Sequence, residues 1–255
     1  MKINYNKTRV ISVVLVLSII TAWIYFDKTS SVAKTIGENI KSNFVFVNSE
    51  QASFSEQNEQ EIREVTRNAV DRMYQLMPDL APEINFTIRL IDRDLSMVYG
   101  ATGRTDRKNE IEISLSAVYQ GGISQAIKDG LAGTVFHELH HTVRGWTMYG
   151  NAFPQGIDTA AINEGLADVF AEIQIGRSMN TMSNDVDFHA WANEILALPK
   201  NANYGDWMGM HPDGREAVGY RTGAYLVRKA LNNSGKDIIT LSYYSIEDIY
   251  KISGY

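Results

Sequence analysis

Two histidines and a glutamate form the part of this sequence in which residue types and spacing point most directly to chemistry. His137, Glu138 and His141 follow the pattern His-Glu-x-x-His. Histidines four positions apart lie one turn above the other on the same face of a helix, so both imidazoles can bind one metal ion. The glutamate beside the first histidine is then placed to take a proton from a water at the metal. Three of the chain's five histidines fall within these five residues, which composition alone does not explain.

The segment around this pattern has the apolar spacing of a helix. Apolar residues recur every three or four positions from Ile123 to Val143, and Gly145 offers a C-terminal stop. We therefore expect a helix with its apolar side in the core and the two ligand histidines on an adjacent face. His140 points away from that face and is interpreted as a surface residue or as one that supports a ligand.

A third protein ligand is expected, because catalytic zinc usually takes three and leaves its fourth position for water. Glu164 lies 23 positions after His141 on a second helical pattern, which leaves room for one loop and a return to the metal. Asp168 lies one turn beyond Glu164 and can accept the ring N–H of a bound histidine. The alternative interpretation for both residues is a pair of solvated helix carboxylates. Cysteine cannot serve as the ligand, because the sequence contains none.

Together these segments resemble the gluzincin metallopeptidases, the thermolysin-like group. Those enzymes pair the two-histidine helix with a second helix that carries an Asn-Glu-x-x-x-Asp pattern, which here spans residues 163–168. The resemblance implies a single catalytic Zn²⁺ ion as cofactor, with Glu138 as general base and Asp168 as the partner of a ligand histidine. The implied zinc ligands are His137, His141 and Glu164.

The C-terminal part of the sequence is similar to a narrower group. The double histidine, the Gly- and Tyr-rich stretch 218–225 and the closing residues 252–255 resemble predicted bacterial zinc proteases described only as a domain of unknown function. This likeness covers roughly residues 80 to 255, although only the two metal-helix motifs are specific. The sequence lacks a Gly-x-Met-Glu-Asn aminopeptidase motif, so an endopeptidase is favoured over an exopeptidase.

Peptide hydrolysis also needs a hydrogen-bond donor for the tetrahedral oxyanion, because the metal alone leaves part of its charge unmet. The candidates lie in or near the same Gly- and Tyr-rich stretch and are His211, Tyr220, Arg221 and Tyr225. Tyr220 leads by its place in the Gly-Tyr motif. His211 is the rival, in a predicted turn before Pro212. Packing beside glycines is the alternative interpretation for each aromatic residue.

The N-terminus predicts a membrane segment. Residues 10–26 carry no charge and are mostly Val, Ile and Leu, and Lys2, Lys7 and Arg9 precede them. We therefore expect residues 1–28 to be an uncleaved anchor in the cell membrane, with the N-terminus cytoplasmic and the catalytic domain outside. Secretion after signal-peptide cleavage is the alternative. Residues 29–55 predict a polar tether with one short strand or docking segment at 44–47, and residues 56–255 predict the metallopeptidase domain.

Strands precede helices in that domain. A helix is expected over 56–77, strands over 84–91 and 110–115, a loop over 100–109, and mainly helix after residue 124. This order predicts an α+β, zincin-like fold, in which a small N-terminal sheet precedes a helical half that carries both metal helices. In gluzincins an edge strand just before the zinc helix pairs with the substrate. Residues 110–115 occupy that place, with an ordinary sheet strand as the alternative.

Charge argues against one class of partner. The formal net charge is −6, and residues 1–28 contribute +3, so the remainder carries −9. Such an acidic remainder argues against nucleic acid and anionic lipid as partners. The expected function is zinc-dependent hydrolysis of a peptide or protein substrate. A zinc protein that binds peptides or a partner without hydrolysis and a non-peptidase hydrolase on the same scaffold are the alternatives.

Overall fold

A mixed four-stranded sheet opens the part of the chain that our computed structural model describes, residues 40–149, 155–183 and 185–255. The strands are β1 (Lys41–Val47), β2 (Glu83–Ile91), β3 (Ala101–Arg107) and β4 (Glu110–Ser116). Their order is β1-β2-β4-β3, in which β1, β2 and β4 run parallel and β3 is antiparallel to β4. β3 is therefore an edge strand.

Alternating side chains give the sheet one apolar face. In β2, Ile84, Phe86, Ile88 and Leu90 are buried in alternation with more exposed residues, as expected of a strand with one face in the core. Helix α1 (Glu56–Leu76) packs near this sheet and begins with a capping box between Ser55 and Asn58.

The helical half follows the sheet, as the sequence predicted, so the α+β fold class is confirmed. Its elements are α2 (Gly122–Ala126), a π-helical turn (Ile127–Leu131), α3 (Ala132–Arg144), α4 (Ile157–Ile175), α5 (Phe188–Leu196), α6 (Tyr204–Met208), α7 (Val218–Ser234), α8 (Ile238–Leu241) and α9 (Ile246–Ser253). A short 3₁₀ turn (Ser96–Val98) precedes β3.

Glycine allows α3 to lie close to the sheet. The helix predicted from residue 122 onwards is present, with the π-helical turn within it. A Cβ atom on Gly130, in that turn, would lie 2.5 Å from the backbone oxygen of Tyr99. Only a residue without a side chain therefore lets the helix cross the start of β3 at this distance. This crossing places α3 over the edge strand.

A second close contact joins α4 to α7. A Cβ atom on Gly223 of α7 would lie 1.7 Å from the backbone oxygen of Ala161, and one on Gly165 of α4 would lie 2.2 Å from the carbonyl carbon of Gly223. The two helices therefore touch backbone to backbone. This contact brings Tyr220, one turn before Gly223, towards Glu164 on α4.

The sheet corrects two expectations. Residues 101–107 form β3, so the predicted loop over 100–109 is wrong for most of its length. β4 is the predicted strand at 110–115, but it lies between β2 and β3 and its two edges are already paired. The edge strand next to the metal helix is β3. β1 supplies the short strand expected inside residues 29–55, and the compact unit begins at Lys41.

The predicted single-pass membrane localisation also requires correction. Across the described residues, every helix is too short or too polar to cross a bilayer. The prediction rested on residues 10–26, which lie outside the described residues.

Candidate metal centre

Two histidines from α3 and one glutamate from α4 converge on a single point. Nε2 of His137 lies 2.9 Å from Nε2 of His141, and each nitrogen lies 3.1 Å from Oε2 of Glu164. All three side chains are buried. The i, i+4 spacing on α3 aligns the two imidazoles, and α4 returns across them to supply the carboxylate.

These three atoms fit a zinc ion. Zinc bonds of about 2.0–2.2 Å to nitrogen and oxygen place the ligand atoms of a tetrahedral site roughly 3.3 Å apart. The observed separations of 2.9–3.1 Å are slightly shorter than that and have the same arrangement. Two imidazoles and one carboxylate leave one position of a tetrahedral zinc site open. This set of ligands is typical of a catalytic rather than a structural site.

Two further residues orient the ligands. Oδ1 of Asp168, one turn after Glu164, lies 2.9 Å from Nδ1 of His137. The ring N–H is not aligned with it as a hydrogen bond, but the short distance between two buried groups supports a charge-assisted pair that keeps Nε2 free for a metal. The indole Nε1–H of Trp146 donates to Oε1 of Glu164 at 2.9 Å, which fixes the carboxylate.

The chain after α3 explains how Trp146 reaches that position. Gly145 adopts the left-handed conformation (φ 70°) that ends α3, and the backbone N–H of Trp146 then donates to the carbonyl of His141. Asn163, the residue before Glu164, accepts a hydrogen bond from Arg144 at 2.9 Å. The end of α3 is therefore tied directly to the segment of α4 that carries the third ligand.

Glu138 is held beside the ligand group by the edge strand. Its Oε2 accepts a hydrogen bond of 2.8 Å from the hydroxyl of Thr105. A Cβ atom on Gly103 would lie 2.5 Å from Oε1 of Glu138, so the glycine makes room for the carboxylate against β3. Glu138 is buried and is not one of the three converging ligands.

Burial and neighbouring charges shift the pKa values of this site in different directions. Burial lowers the pKa of His137, but the contacts with Asp168 and Glu164 outweigh it and raise that pKa well above its ordinary value. Burial raises the pKa of Glu138, against the opposing effect of His137 and His141. Burial also raises the pKa of Asp168, whereas the two histidines lower that of Glu164 despite its burial. A raised pKa makes Glu138 a stronger base near neutral pH.

Tyr220 lies at the site as the sequence suggested, together with a second tyrosine that sequence reasoning did not find. The ring centroid of Tyr220 lies 6.4 Å from that of His137, and its hydroxyl is hydrogen bonded to Tyr204. Burial, reinforced by nearby carboxylates such as Glu164, raises the pKa of both phenols, so both remain neutral O–H donors. Both tyrosines line a small cavity of about 70 Å³ that Glu138 and His141 also border.

The structure places the other oxyanion candidates elsewhere. The ring of His211 packs on Trp207, and its Nδ1 lies 2.8 Å from Asp213, so it stabilises a turn and borders neither cavity next to Glu138. Tyr225 stacks on Phe188 with the ring centroids 5.2 Å apart.

Arg221 and His140 are each hydrogen bonded to residues outside the ligand group. Arg221 borders a cavity that Glu138 also lines, but it donates to the backbone carbonyls of Glu216 and Ser183. His140 is fully buried, with Nε2 2.8 Å from the hydroxyl of Ser242, so its interpretation as a surface residue is wrong.

A larger cavity of about 500 Å³ opens on the side of Glu138 that faces the start of β3. His137, Glu138 and residues 101–103 form part of its wall. The ligand group therefore lies between a small cavity and a much larger one, as a reaction centre with a substrate site would.

Comparison with known proteins agrees with this arrangement. The model of a family described as "Predicted Zn-dependent protease (DUF2268)" matches residues 122–251, just over half of the chain. That range contains the whole ligand group, Glu138 and Tyr220. No curated protein and no solved structure matches the chain. The buried His-His-Glu group could hold the metal ion that this description names. The chain belongs to this family of predicted zinc-dependent proteases.

Proposed function

We propose that this protein is a zinc endopeptidase of the gluzincin type, with Glu138 as general base. The observation that carries the proposal is the position of Glu138, which is buried beside the ligand group, held by Thr105 and not itself a ligand. A structural zinc site has no use for such a group, whereas hydrolysis requires one. The third ligand is a glutamate from a separate helix, which supports the gluzincin assignment.

His137, His141 and Glu164 would hold a single zinc ion. Zinc bound there supplies Lewis acidity, which lowers the pKa of a water molecule and polarises a carbonyl group. Asp168 and Trp146 keep two of these ligands in place, through His137 and Glu164 respectively. The protein's own contribution is therefore a rigid donor set that is built before the substrate arrives.

Glu138 moves the protons. Its carboxylate accepts a proton from the attacking water, and the same carboxyl group then donates that proton to the leaving nitrogen. The raised pKa of Glu138 supports both steps, because a carboxylate with an ordinary pKa holds a proton too weakly near neutral pH. The hydroxyl of Thr105 limits the rise in pKa and fixes the direction of the carboxylate.

Tyr220 and Tyr204 supply the donor for the oxyanion. Both border the small cavity beside Glu138 and His141, and both stay protonated because burial raises their pKa values. Since Tyr220 and Tyr204 are hydrogen bonded to each other, each orients the hydroxyl of the other. A preorganised O–H group at the point where negative charge develops is worth far more than the same group in water.

The edge strand β3 supplies the backbone contacts of the substrate. The carbonyl of Thr105 points away from β4 and accepts a hydrogen bond from the N–H of Met148. Outward-pointing backbone groups recur at every second residue of a strand, so those of Gly103 face the same side, directly beside Glu138. The N–H groups of Met148 and Tyr149 already occupy the edge at Thr105 and Asp106, so an extended peptide would pair with the part of β3 before Thr105, beside Glu138.

The test is cleavage of a quenched-fluorescent peptide library by the full chain loaded with zinc, beside its Glu138→Gln variant. We expect cleavage by the wild type, loss of at least about a hundredfold in the variant, and equal zinc content in both proteins. Equal rates in both would remove Glu138 as the base. Loss of zinc in the variant would show that its role as a non-ligand is wrong.

Two other functions would give different results with the same two proteins, once peptide binding and the hydrolysis of simple substrates are also measured. A zinc protein that binds peptides without hydrolysis would bind the library in both forms and cleave nothing. A non-peptidase hydrolase would leave the library intact but hydrolyse simple ester or amide substrates, with the same dependence on Glu138.

A further inference from the structure

Methionines are concentrated in the large cavity beside Glu138. The sequence contains nine methionines, and five of them line this one cavity: Met97, Met179, Met182, Met208 and Met210. They come from the 3₁₀ turn before β3, the segment after α4, and α6 with the residues that follow it. Residues up to 113 positions apart in the chain therefore converge on one space. We call this space the methionine pocket.

Two of these methionines pack against glycines of α3 and α7, the helices that carry His137 and Tyr220. A Cβ atom on Gly133 of α3, four residues before His137, would lie 2.7 Å from Sδ of Met179. One on Gly219 of α7, immediately before Tyr220, would lie 2.0 Å from Sδ of Met208. The missing side chains let the thioethers lie against the helix backbones, so the inner part of the methionine pocket adjoins the residues that we assign to the reaction.

Other members form an accessible rim. Met97 and Met210 are 46% and 59% exposed, whereas Met208 is 5% exposed. Large exposed apolar side chains beside a cavity indicate a surface that a ligand covers. The cavity of about 500 Å³ is of the size that accommodates small ligands and side chains of a peptide.

The chemistry of the lining selects the ligand. Thioether side chains are unbranched and polarisable, so they adapt to apolar groups of different shapes and make favourable contacts with aromatic rings. Charged residues at the cavity include Arg93 and Arg221, opposed by Asp94 and Glu216, with Glu138 and Asp168 as further acids. Arg93 and Arg221 balance Asp94 and Glu216, and the other two acids lie beside the metal ligands, so no excess charge compensates an ionic side chain for its loss of water.

We infer that the methionine pocket binds a large apolar side chain of the substrate next to the bond that is cleaved, and that it accepts leucine, methionine and phenylalanine with little distinction. This inference rests on the proposed function, because it assigns the specificity of the same site. Burial of a large apolar side chain predicts a preference of about 10- to 100-fold over alanine at that position, and at least as much over aspartate.

The test uses the full chain loaded with zinc and a set of peptides that differ at one position beside the scissile bond, with Leu, Met, Phe, Ala, Asp or Lys there. Cleavage rates are measured for the wild type and for Met210→Lys. Because Met210 is largely exposed, its replacement does not disturb the core. We expect Met210→Lys to lose roughly tenfold on the leucine peptide and to gain on the aspartate peptide, whereas Met210→Leu keeps the wild-type order.

A matched control has the same charge change outside the pocket. Val118 is 54% exposed and does not line the cavity, so Val118→Lys should leave the order of peptides unchanged. An unchanged order in Met210→Lys, or an equal effect of Val118→Lys, overturns the inference.

Binding separates this inference from the proposed function. The same peptides, labelled with a fluorophore, are titrated against zinc-loaded Glu138→Gln protein and followed by anisotropy. Preferential binding of the apolar peptides without cleavage by the wild type would support the pocket and overturn the proposed function. Cleavage of all peptides at similar rates would support the proposed function and overturn the pocket.

Discussion

Replacement of Thr105 by valine tests whether the edge strand sets the basicity of Glu138. The hydroxyl of Thr105 lies 2.8 Å from Oε2 and 3.0 Å from the backbone oxygen of Glu138. Valine has nearly the same shape, so the change removes the donor without leaving a large cavity. A hydrogen bond to a charged group contributes about 1.5–3 kcal/mol. Since one proton serves two acceptors here, we take the lower value, about 1.5 kcal/mol. Loss of this hydrogen bond in the valine variant would favour the protonated form of Glu138 over its carboxylate by roughly tenfold.

The direction of the effect follows from the state that the donor stabilises. Thr105 lowers the pKa of Glu138, against the larger effect of burial, which raises it. Without that donor the pKa of Glu138 rises further, so the carboxylate is protonated at higher pH than in the wild type. We therefore expect the acidic limb of the kcat/KM profile to move to higher pH, with a loss of about tenfold on that limb and a much smaller loss above it.

The assay is a pH profile of peptide cleavage for the zinc-loaded wild type and Thr105→Val. Thr142→Val is a matched control, because Thr142 is buried like Thr105 but lies on α3 and donates to the backbone of Leu139. Its acidic limb should stay in place. An unmoved limb in Thr105→Val, with zinc retained, would falsify the role of Thr105 and weaken that of Glu138 as the group seen in the profile.

Three further predictions concern metal affinity and stability. Trp146→Phe removes the donor to Oε1 of Glu164 and should weaken zinc binding about 10- to 100-fold in a chelator competition; unchanged affinity would contradict the orienting role. Gly223→Ala places a methyl group 1.7 Å from the oxygen of Ala161 and should lower the free energy of unfolding in urea by at least about 1–3 kcal/mol; an unchanged midpoint would contradict the close helix contact. Asp168 and Glu164 raise the pKa of His137 despite its burial, so zinc must displace a proton from this histidine near neutral pH. The affinity for zinc should therefore rise about tenfold per pH unit. Asp168→Asn should flatten that slope.

Local spacing was enough to predict the metal helices. The His-Glu-x-x-His pattern fixes the relative positions of three side chains on one helix, and Glu164 and Asp168 are fixed in the same way on another. The sequence left open how α3 and α4 meet. That meeting depends on tertiary contacts such as the hydrogen bond from Arg144 at the end of α3 to Asn163 on α4, which no periodicity of side chains encodes.

The edge strand was harder to predict because its sequence obeys a different constraint. Gly103 and the charged residues after it have the composition of a loop, yet Gly103 is needed where Glu138 presses on β3. The hydrogen bonds from Thr105 to Glu138 and from Trp146 to Glu164 join residues 33 and 18 positions apart. Such partners are set by tertiary structure, so composition and local pattern could not identify them.

The methionine pocket also gives this protein a chemical vulnerability. Peroxides convert a thioether into a sulfoxide and are themselves reduced to water or an alcohol, and the flexible apolar side chain becomes polar. Met97 and Met210, the exposed rim, are open to this oxidation. The chain has no cysteine, so oxidative stress would act on methionine rather than on a thiol. We therefore expect mild oxidation to alter which peptides are cleaved before it alters zinc binding, and methionine sulfoxide reductases to reverse the change.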